Sequence, residues 1–502
     1  MTDDRLAFPR AELRKRTVRG AIVNALFLGG GEALALVQGL VVIALLQPSD
    51  IGLYGIVTTT AMTVVALRRV GIDEAFVRQS EEDQEEEFQR AFTIELGIGL
   101  AFSVALLAAA PVVAVAYDDH RLLALMIAVA YLPTGFALQA PAWIFFRRMD
   151  FLRVRVLQAL VPLATFCVTV PLAAVTGSVW SLVIGPAVGN TVAILAGLWL
   201  SPYKLRVRLP DRATRRRYLG FSWPIFVAAG ALLVVQQGQV FAFDLDGGLP
   251  AAGYITVAWT LTRYADRVDQ IIATTIYPAI VVVQEQLDTV RELFVKTNRL
   301  ALMWVLPFCG GLILFAPDLV DYVLGDKWQP AVILIQGLAG AAALQQLGYN
   351  WFSFYRARGE SRPQAVESVA LVAGFLGLAI PGLVLWGFDG FAWGRIAGAA
   401  LVVAVRAVYV RRLVPGVSLV ALAARGAAPV VAAAALVLAL RLALGDGRSL
   451  GQAIGELAVF LAVTGAITWR AERPLLREVL GQVRSRAGAG EPPAVHLGTS
   501  TS

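Results

Sequence analysis

Four ionisable side chains, Arg263, Asp266, Arg267 and Asp269, lie in one apolar stretch of the chain. A charged side chain in hydrocarbon costs about 2.5–3.5 kcal/mol, so each of these needs a partner or contact with water. At about 100° per residue they share with Gln270 one helix face roughly 160° wide. A guanidinium keeps its charge and binds phosphate through two parallel N–H groups. The pattern predicts a water-filled cavity that receives an anion, although pairs such as Arg263–Asp266 would also neutralise each other.

Three further residues at membrane depth are candidates for the same cavity. Arg395 would either bind the anion or extend its charged end to the membrane surface. Asn24 and Glu32 lie on one side of the first span, beside Gly29-Gly30-Gly31, whose glycines would permit a bend or close helix packing. The predicted substrate-binding residues are therefore Arg263, Arg267, Arg395, Gln270 and Asn24. The candidates for binding a coupling proton or sodium ion are Glu32, Asp266 and Asp269.

Several glutamines add hydrogen-bonding capacity in two of the predicted spans. They would bind either sugar hydroxyls or neighbouring helices, and they are Gln236, Gln237, Gln239, Gln345 and Gln346. The chain has 2 cysteines and 2 histidines, and their spacing is not that of a metal site. We therefore predict no catalytic residues, no metal and no cofactor, beyond a possible coupling proton or sodium ion.

These residues lie in a chain with the composition of a membrane protein. Of its 502 residues, 58% are hydrophobic and 16% charged, whereas about a quarter are charged in a typical soluble protein. Many apolar runs reach the roughly 20 residues that a membrane-spanning helix needs. Backbone groups in lipid must be hydrogen-bonded internally, which favours helices. We place about fourteen spans, at residues 20–46, 53–67, 91–117, 122–146, 156–176, 178–200, 218–243, 251–280, 300–318, 329–352, 366–386, 389–410, 427–444 and 451–469.

The positions of lysine and arginine predict the orientation of these spans. Of the 43 basic residues, 36 fall in alternate connections beginning with the N-terminal tail, 4 fall in the other connections and 3 lie within spans. Because cytoplasmic loops are enriched in lysine and arginine, both termini should be cytoplasmic. The basic clusters then lie beside anionic lipid, so we expect membrane lipids and no nucleic acid as partners.

A weak internal repeat predicts the organisation of the chain. Segments of the second to sixth spans recur, in order, in the eighth to twelfth at offsets of 200, 206, 209 and 213 residues, beginning with Ile51–Tyr54 and Ala251–Tyr254. Six spans separate the copies, so both should enter the membrane in the same direction. The predicted units are a basic tail (1–19), an N-terminal lobe (20–200), a cytoplasmic linker (201–217), a C-terminal lobe (218–410), two extra spans (411–470) and an unstructured cytoplasmic tail (471–502).

Several loose motifs, taken in order, resemble those of bacterial polysaccharide exporters and oligosaccharide flippases. This family is a branch of the multidrug/oligosaccharidyl-lipid/polysaccharide superfamily, and the resemblance is closest to exporters of the colanic and teichuronic acid type. It covers about residues 15–410, and the stretches that carry it are Leu46–Tyr54, Arg69–Arg78, Phe146–Phe151, Gly253–Ala258, Ile276–Ala279 and Leu324–Trp328.

The resemblance implies an all-α integral membrane protein, with two six-helix lobes in a V-shaped arrangement like that of multidrug exporters and two extra C-terminal helices. It also implies alternating access and a polyprenyl-diphosphate-linked oligosaccharide as the substrate. That substrate would move from the cytoplasmic to the outer leaflet of a bacterial inner membrane, with glycan polymerase or assembly proteins as partners. Cationic residues lining the cavity are typical of the family, which fits Arg263 and Arg267.

Two other functions compete with this interpretation. A multidrug or small-molecule antiporter of the same fold would favour an acidic, aromatic cavity, whereas this sequence offers arginines as well as acids. A membrane glycan polymerase or ligase would need a sizeable outer loop for catalysis. Here the outer connections are short, and only residues 318–329 are sizeable, without a nucleophile–histidine or metal arrangement. We therefore expect a transporter rather than an enzyme.

Overall fold

The computed structural model describes residues 30–68, 72–78, 83–148, 150–211, 223–266, 285–358, 362–444 and 448–488, together with residues 280 and 360. Throughout these ranges the regular structure is helical and no strand is present. This agrees with the all-helical membrane fold predicted from the apolar runs.

The described part of the N-terminal lobe contains nine helices, and three of them are pieces of the predicted fourth span. They are α1 (Gly30–Leu45), α2 (Pro48–Arg68), α3 (Ile72–Arg78), α4 (Gln84–Ala116), α5 (Arg121–Val129), α6 (Leu132–Leu138), α7 (Pro141–Arg147), α8 (Phe151–Thr176) and α9 (Trp180–Leu200).

The remaining described helices form the C-terminal lobe and the extra pair. They are α10 (Trp223–Thr262), α11 (Leu287–Leu319), α12 (Ala331–Gln345), α13 (Trp351–Ala357), α14 (Arg362–Gly374), α15 (Ile380–Leu413), α16 (Leu419–Leu444) and α17 (Leu450–Gly488).

Within the described residues, eight helical segments are long and apolar enough to cross a membrane, and α1 and α12 are shorter apolar helices. Two of the long helices change direction. The backbone leaves the helical conformation at Gly247 and Gly248 inside α10 and at Trp386 and Gly387 inside α15. These positions match the breaks predicted between the seventh and eighth and between the eleventh and twelfth spans. The total of fourteen spans stays a prediction.

The predicted fourth span is one apolar helical segment, Arg121–Arg147, with short breaks between α5, α6 and α7. Pro133 and Pro141 lie in the first turns of the last two, because proline begins a helix readily but lacks the N–H that would continue one. Two other features differ from the sequence-based expectations. The predicted tenth span is interrupted between α12 and α13 by a turn in which Gly348 has a φ of +72°. Finally, α17 continues to Gly488, so residues 471–488 are helical rather than unstructured.

The two lobes meet where α2 lies against the part of α10 that follows the break at Gly247 and Gly248, and the contact has two-fold symmetry. A methyl group added at Gly52 would overlap the carbonyl oxygen of Leu249, and one added at Gly253 would overlap the carbonyl oxygen of Pro48. Both pairs of equivalent positions, 52 with 253 and 48 with 249, are 201 residues apart. This spacing agrees with the predicted repeat offset of 200. The two helices run in the same direction about a pseudo-two-fold axis parallel to them.

The same repeat relates two helical hairpins. The helices α8 and α9 turn back on each other at Gly177 (φ +55°), and the two arms of residues 362–413 turn at Gly387 (φ +62°). Left-handed φ values of this kind favour glycine because it has no Cβ. The turn glycines are 210 residues apart, whereas the sequence repeat has an offset of 213 residues in this part of the chain.

The extra helices α16 and α17 pack against α11 through a small apolar core that contains Phe315, Val430, Ala433, Val437 and Phe460. At one end of this core, four buried or half-buried charges alternate in sign. Arg441 bonds Asp318 (3.0 Å) and Glu456 (2.9 Å), and Arg448 bonds the same two carboxylates (2.7 and 2.8 Å). We call this group, which is electrically balanced, the outer ion cluster.

Candidate functional site

The space between the lobes is closed at the end predicted to face outward. The loop after α11 reaches the last turn of α1, where backbone carbonyls lack partners within the helix. The indole N–H of Trp328 donates to the carbonyl of Ile43 (3.0 Å), and the Lys327 ammonium donates to that of Ala44 (2.8 Å). Burial lowers the pKa of the Lys327 side chain. One large apolar core joins the two lobes here, and it includes Ile43 of α1, Leu46 just after α1, and Ala251 of α10.

Toward the cytoplasmic end, the same two helices separate. Gly55 of α2 still contacts Thr256 of α10, and Ile56 and Val57 are fully buried. One to two turns further, Met62 is 47% exposed, and Arg263, which the 201-residue offset places opposite it, is exposed as well. The exposure of these two equivalent positions indicates that the lobes lie further apart here than at the outer end, although Ala61 and Ala265 beside them stay fully buried.

Arg263 lies where α10 ends and the chain tightens into the 3₁₀ turn Arg263–Asp266. Its guanidinium lies 5.3 Å from the centroid of the Trp259 ring, one turn earlier on the same helix. An aromatic face attracts a cation without occupying its N–H donors in salt bridges. Arg263 therefore presents an oriented positive charge in the part of the molecule where the lobes diverge.

The continuous polar helix face predicted for residues 263–270 is not what the structure shows at its start. The α-helix stops at Thr262, and in a 3₁₀ turn residues three apart eclipse each other. Arg263 and Asp266 thus still lie on one side, although the 100° spacing no longer applies. Asp266 accepts a hydrogen bond from the Gln346 amide (2.8 Å) in the turn that follows α12. The turn in the tenth span and the acidic end of the 3₁₀ segment are therefore directly connected.

The interruption after α12 depends on residues that the sequence analysis assigned no role. Arg406 of α15 donates to the carbonyls of Gln345 and Leu347 and pairs with Glu367 of α14. The Arg406 side chain is only 9% exposed. A buried arginine that binds freed carbonyls is what an interrupted transmembrane helix requires. The signal available in the sequence was the polar, glycine-containing stretch Gln345–Asn350 near the end of the predicted tenth span.

Arg395 lies deeper, beside a one-turn π-helical segment, Phe375–Ala379. Its guanidinium is 6.0 Å from the centroid of the Phe375 ring, and its Nε atom is buried without a hydrogen-bond partner among the described residues. The side chain therefore contacts the preceding span instead of simply extending along its own helix to the membrane surface. Single π turns recur at functional sites, which keeps Arg395 among the candidates.

The remaining candidates are only partly described. Glu32 is half-buried in the first turns of α1. A methyl group added at Gly30 would have no neighbour within 4 Å, so close helix packing does not explain that glycine. Asn24, Arg267, Asp269 and Gln270 lie outside the described residues, so their roles stay predictions.

Two of the glutamines make hydrogen bonds between helices. Gln237 of α10 donates to Thr60 of α2 (3.1 Å), which joins the two lobes, and Gln346 donates to Asp266. Gln239 is buried, and its amide oxygen has no partner in the described part of the chain. For the first two, the interhelical interpretation is supported by geometry.

Two lobes related by an axis parallel to their helices, with an interlobe space closed at one end, define the fold of the multidrug/oligosaccharidyl-lipid/polysaccharide superfamily. Three solved structures share it. Lipid II flippase MurJ in an inward closed conformation matches with a TM-score of 0.68 and 10% identity, covering 91% of this chain and 100% of that one. An inward-facing multidrug resistance transporter of the MATE family matches with a TM-score of 0.64 and 16% identity, covering 79% of this chain and 98% of that one. An outward-facing MATE structure matches with a TM-score of 0.56 and 17% identity, covering 80% of this chain and 96% of that one.

A sequence model of the family described as "Polysaccharide biosynthesis protein" matches residues 41–333, more than half of the chain. The chain belongs to this family, and the predicted membership of a polysaccharide exporter and flippase family is confirmed. No curated protein matches the chain.

Proposed function

We propose that this protein moves a polyprenyl-diphosphate-linked oligosaccharide from the cytoplasmic to the outer leaflet by alternating access. The family match over residues 41–333 carries the proposal, because it connects the chain with polysaccharide biosynthesis. The fold is shared with a protein named as a lipid II flippase and with multidrug exporters. Membership of the superfamily does not by itself select the substrate, so the charge of the interlobe space bears on the choice.

Arg263 and Arg395 supply the features that a diphosphate needs. Arg263 is exposed where the lobes diverge and rests on the Trp259 ring. Arg395 has a buried Nε without a partner in the described chain, so its fork can still receive an anion. In the proposed cycle, Arg263 binds the diphosphate from the cytoplasmic side. The sugar then occupies the interlobe space, and the prenyl chain stays in lipid.

The conformation described here fits the loading step of that cycle. Lys327 and Trp328 hold the outer end closed against α1, while Met62 and Arg263 are exposed at the other end. Release would require the Trp328 and Lys327 hydrogen bonds to break.

The direct test is mass spectrometry of polyprenyl-diphosphate lipids from cells depleted of the protein, combined with digestion by a membrane-impermeant glycosidase. A complete repeat unit should accumulate and stay protected on the cytoplasmic face. If the accumulated unit is accessible from outside, the protein acts after translocation. If nothing accumulates, a small-molecule antiporter replaces the flippase as the better explanation.

A variant series tests the role of the arginine. Arg263→Gln should lower transport by about 10- to 100-fold, because a charge-assisted pair of hydrogen bonds is lost. Transport by Arg263→Lys should lie between that of wild type and that of Arg263→Gln. The positive charge remains, but the planar guanidinium with its two parallel N–H groups is lost. Arg412→Gln, at the end of α15, is a control for positive charge alone and should transport normally. Equal transport by Arg263→Gln and the control would exclude Arg263 from substrate binding. The combined Arg263→Gln, Arg267→Gln variant should abolish transport while folding normally.

A further inference from the structure

The inner end of the contact between α11, α16 and α17 differs in charge from the outer ion cluster. Arg299 and Arg425 both pair with Glu472, so two cations share one carboxylate. We call these three residues the inner ion cluster. Glu472 is 8% exposed and already accepts from both arginines, whereas the outer ion cluster matches two arginines with two acids. The inner ion cluster therefore carries one unmatched positive charge.

The two clusters lie at opposite faces of the membrane. On α17, Glu456 and Glu472 are 16 residues apart, about 24 Å along a helix. On α16, Arg425 and Arg441 have the same separation, which is close to the roughly 30 Å thickness of the hydrocarbon core. The orientation predicted from the basic residues places the inner ion cluster at the cytoplasmic leaflet. That leaflet is the one whose anionic lipids attract basic residues beside the membrane.

The unmatched charge lies beside a small gap between the three helices. Arg299, Arg425 and Glu472 line its polar end, and the rest is lined by Leu302, Met303, Pro307, Leu422, Gly426, Pro429, Thr468 and Ala471. The gap has a volume of about 20 Å³, which is room for one oxygen-sized group. The Arg299 Nε atom is buried and has no hydrogen-bond partner among the described residues. Arg425 is 50% exposed, so a ligand can reach it from outside.

The surroundings reinforce the positive potential. Arg470, Arg473 and Arg477 are exposed on the cytoplasmic end of α17. The nearest further acids, Glu292 and Glu478, both bind Lys296 at 2.6 Å. These two carboxylates share one lysine and so carry one unmatched negative charge, about one turn further from the membrane than Arg299. The three arginines Arg470, Arg473 and Arg477 outweigh it.

We propose that the inner ion cluster binds the headgroup phosphate of an anionic phospholipid of the cytoplasmic leaflet. One phosphate oxygen enters the gap beside Arg299, and Arg425 binds the phosphate from the exposed side. The proposal rests on the predicted orientation but not on the transported substrate. It assigns the extra helix pair a lipid-binding site separate from Arg263.

The test uses the purified full chain in detergent, with phosphatidylglycerol and phosphatidylcholine as probes and native mass spectrometry to count retained lipids. Wild type should retain phosphatidylglycerol in preference to phosphatidylcholine. Arg425→Gln should weaken phosphatidylglycerol binding about five-fold, the effect of one arginine near a lipid phosphate. Glu472→Gln should strengthen it, because the carboxylate that competes for both arginines is gone. Arg473→Gln, exposed on the same helix end, should change it by less than about two-fold.

The opposite signs for Arg425→Gln and Glu472→Gln separate lipid binding from a purely structural ion pair, whose loss would leave lipid preference unchanged. Equal weakening by Arg425→Gln and Arg473→Gln would show diffuse surface attraction and overturn the site. So would equal retention of the two lipids by wild type. If inorganic phosphate raises the melting temperature of wild type as much as phosphatidylglycerol does, the site binds free anions and the lipid assignment is wrong. Should Glu472→Gln fail to fold, the comparison of the two arginine variants still decides.

Discussion

Two contacts of this protein hold helices together by different means. The lobe contact, between α2 and α10, is made where Gly52 and Gly253 each face a backbone carbonyl of the other helix. The contact of α11 with α16 and α17 has a buried ion cluster at each end. Packing of small residues is lost gradually as helices move apart. A buried ion pair that separates leaves unpaired charges, at a cost of several kcal/mol.

This contrast indicates which parts of the molecule move together. Because the ion clusters link α17 to α11 at both membrane faces, the extra helices should follow the C-terminal lobe as one rigid body. The lobe contact should be the place where relative motion occurs. The hydrogen bonds from Lys327 and Trp328 to α1 then stabilise the closed state only modestly, so they can break when the outer end opens.

The largest expected effect comes from breaking the outer ion cluster. Glu456→Ala leaves Arg441 and Arg448 with only Asp318, and removing one partner of a buried pair costs about 3–5 kcal/mol. Thermal denaturation of the purified protein should show a clear fall in Tm. Glu478→Ala, which removes the partly exposed partner of Lys296, is the matched control and should cost at most about 1 kcal/mol. Equal losses would mean that the cluster does not hold α16 and α17 in place.

A smaller effect is expected at the lobe contact. Gly52→Ala places a methyl group against the carbonyl of Leu249, and overpacking of this kind costs about 1–3 kcal/mol. Since the strain is relieved when the lobes separate, the variant should favour the outward-open state. A cysteine at Val42, which is 2% exposed, would then react faster with a membrane-impermeant maleimide added outside. Gly97→Ala, where a methyl group meets nothing within 4 Å, should leave the labelling rate unchanged.

The smallest effect is expected for Trp328→Phe, which keeps a large ring and removes the hydrogen bond to Ile43. Loss of about 1 kcal/mol from the closed state should raise labelling of the same outer cysteine about five-fold. Trp304→Phe is the control, because Trp304 stacks on Phe308 at the surface of α11 and takes no part in the closure. A labelling rate unaffected by Trp328→Phe would show that the indole N–H does not stabilise the closed end.

Much of the architecture could be predicted from the sequence because it follows from local physical rules. The apolar runs predicted helices, and the repeat of Ile51–Tyr54 in Ala251–Tyr254 predicted two copies that run in the same direction. Its offset of 200 differs by one residue from the 201 that separates equivalent positions at the lobe contact. The interruption of the tenth span was not predicted. Its cause is non-local, since Arg406 binds the freed carbonyls of Gln345 and Leu347 from another helix.

The candidate site was predicted less completely than the fold. Arg263 and Asp266 do lie on one side of the chain, but in a 3₁₀ turn that periodicity alone does not distinguish from a longer α-helix. Helix periodicity also cannot assign partners. The Trp259 ring beside Arg263 is four residues away and was available from the sequence, whereas the Gln346 amide that binds Asp266 is 80 residues away.

The symmetric contact at Gly52 and Gly253 has a consequence for the origin of the fold. In an isologous interface, the same patch of two identical subunits meets itself about a two-fold axis. A half-length chain carrying one copy of the repeat could make this contact with a second copy of itself. The glycine of each copy would then pack against a backbone carbonyl of the other. The present chain has the geometry of such a homodimer joined into one polypeptide. Fusion allows the halves to diverge, so that an arginine can stand at position 263 and a methionine at the equivalent position 62.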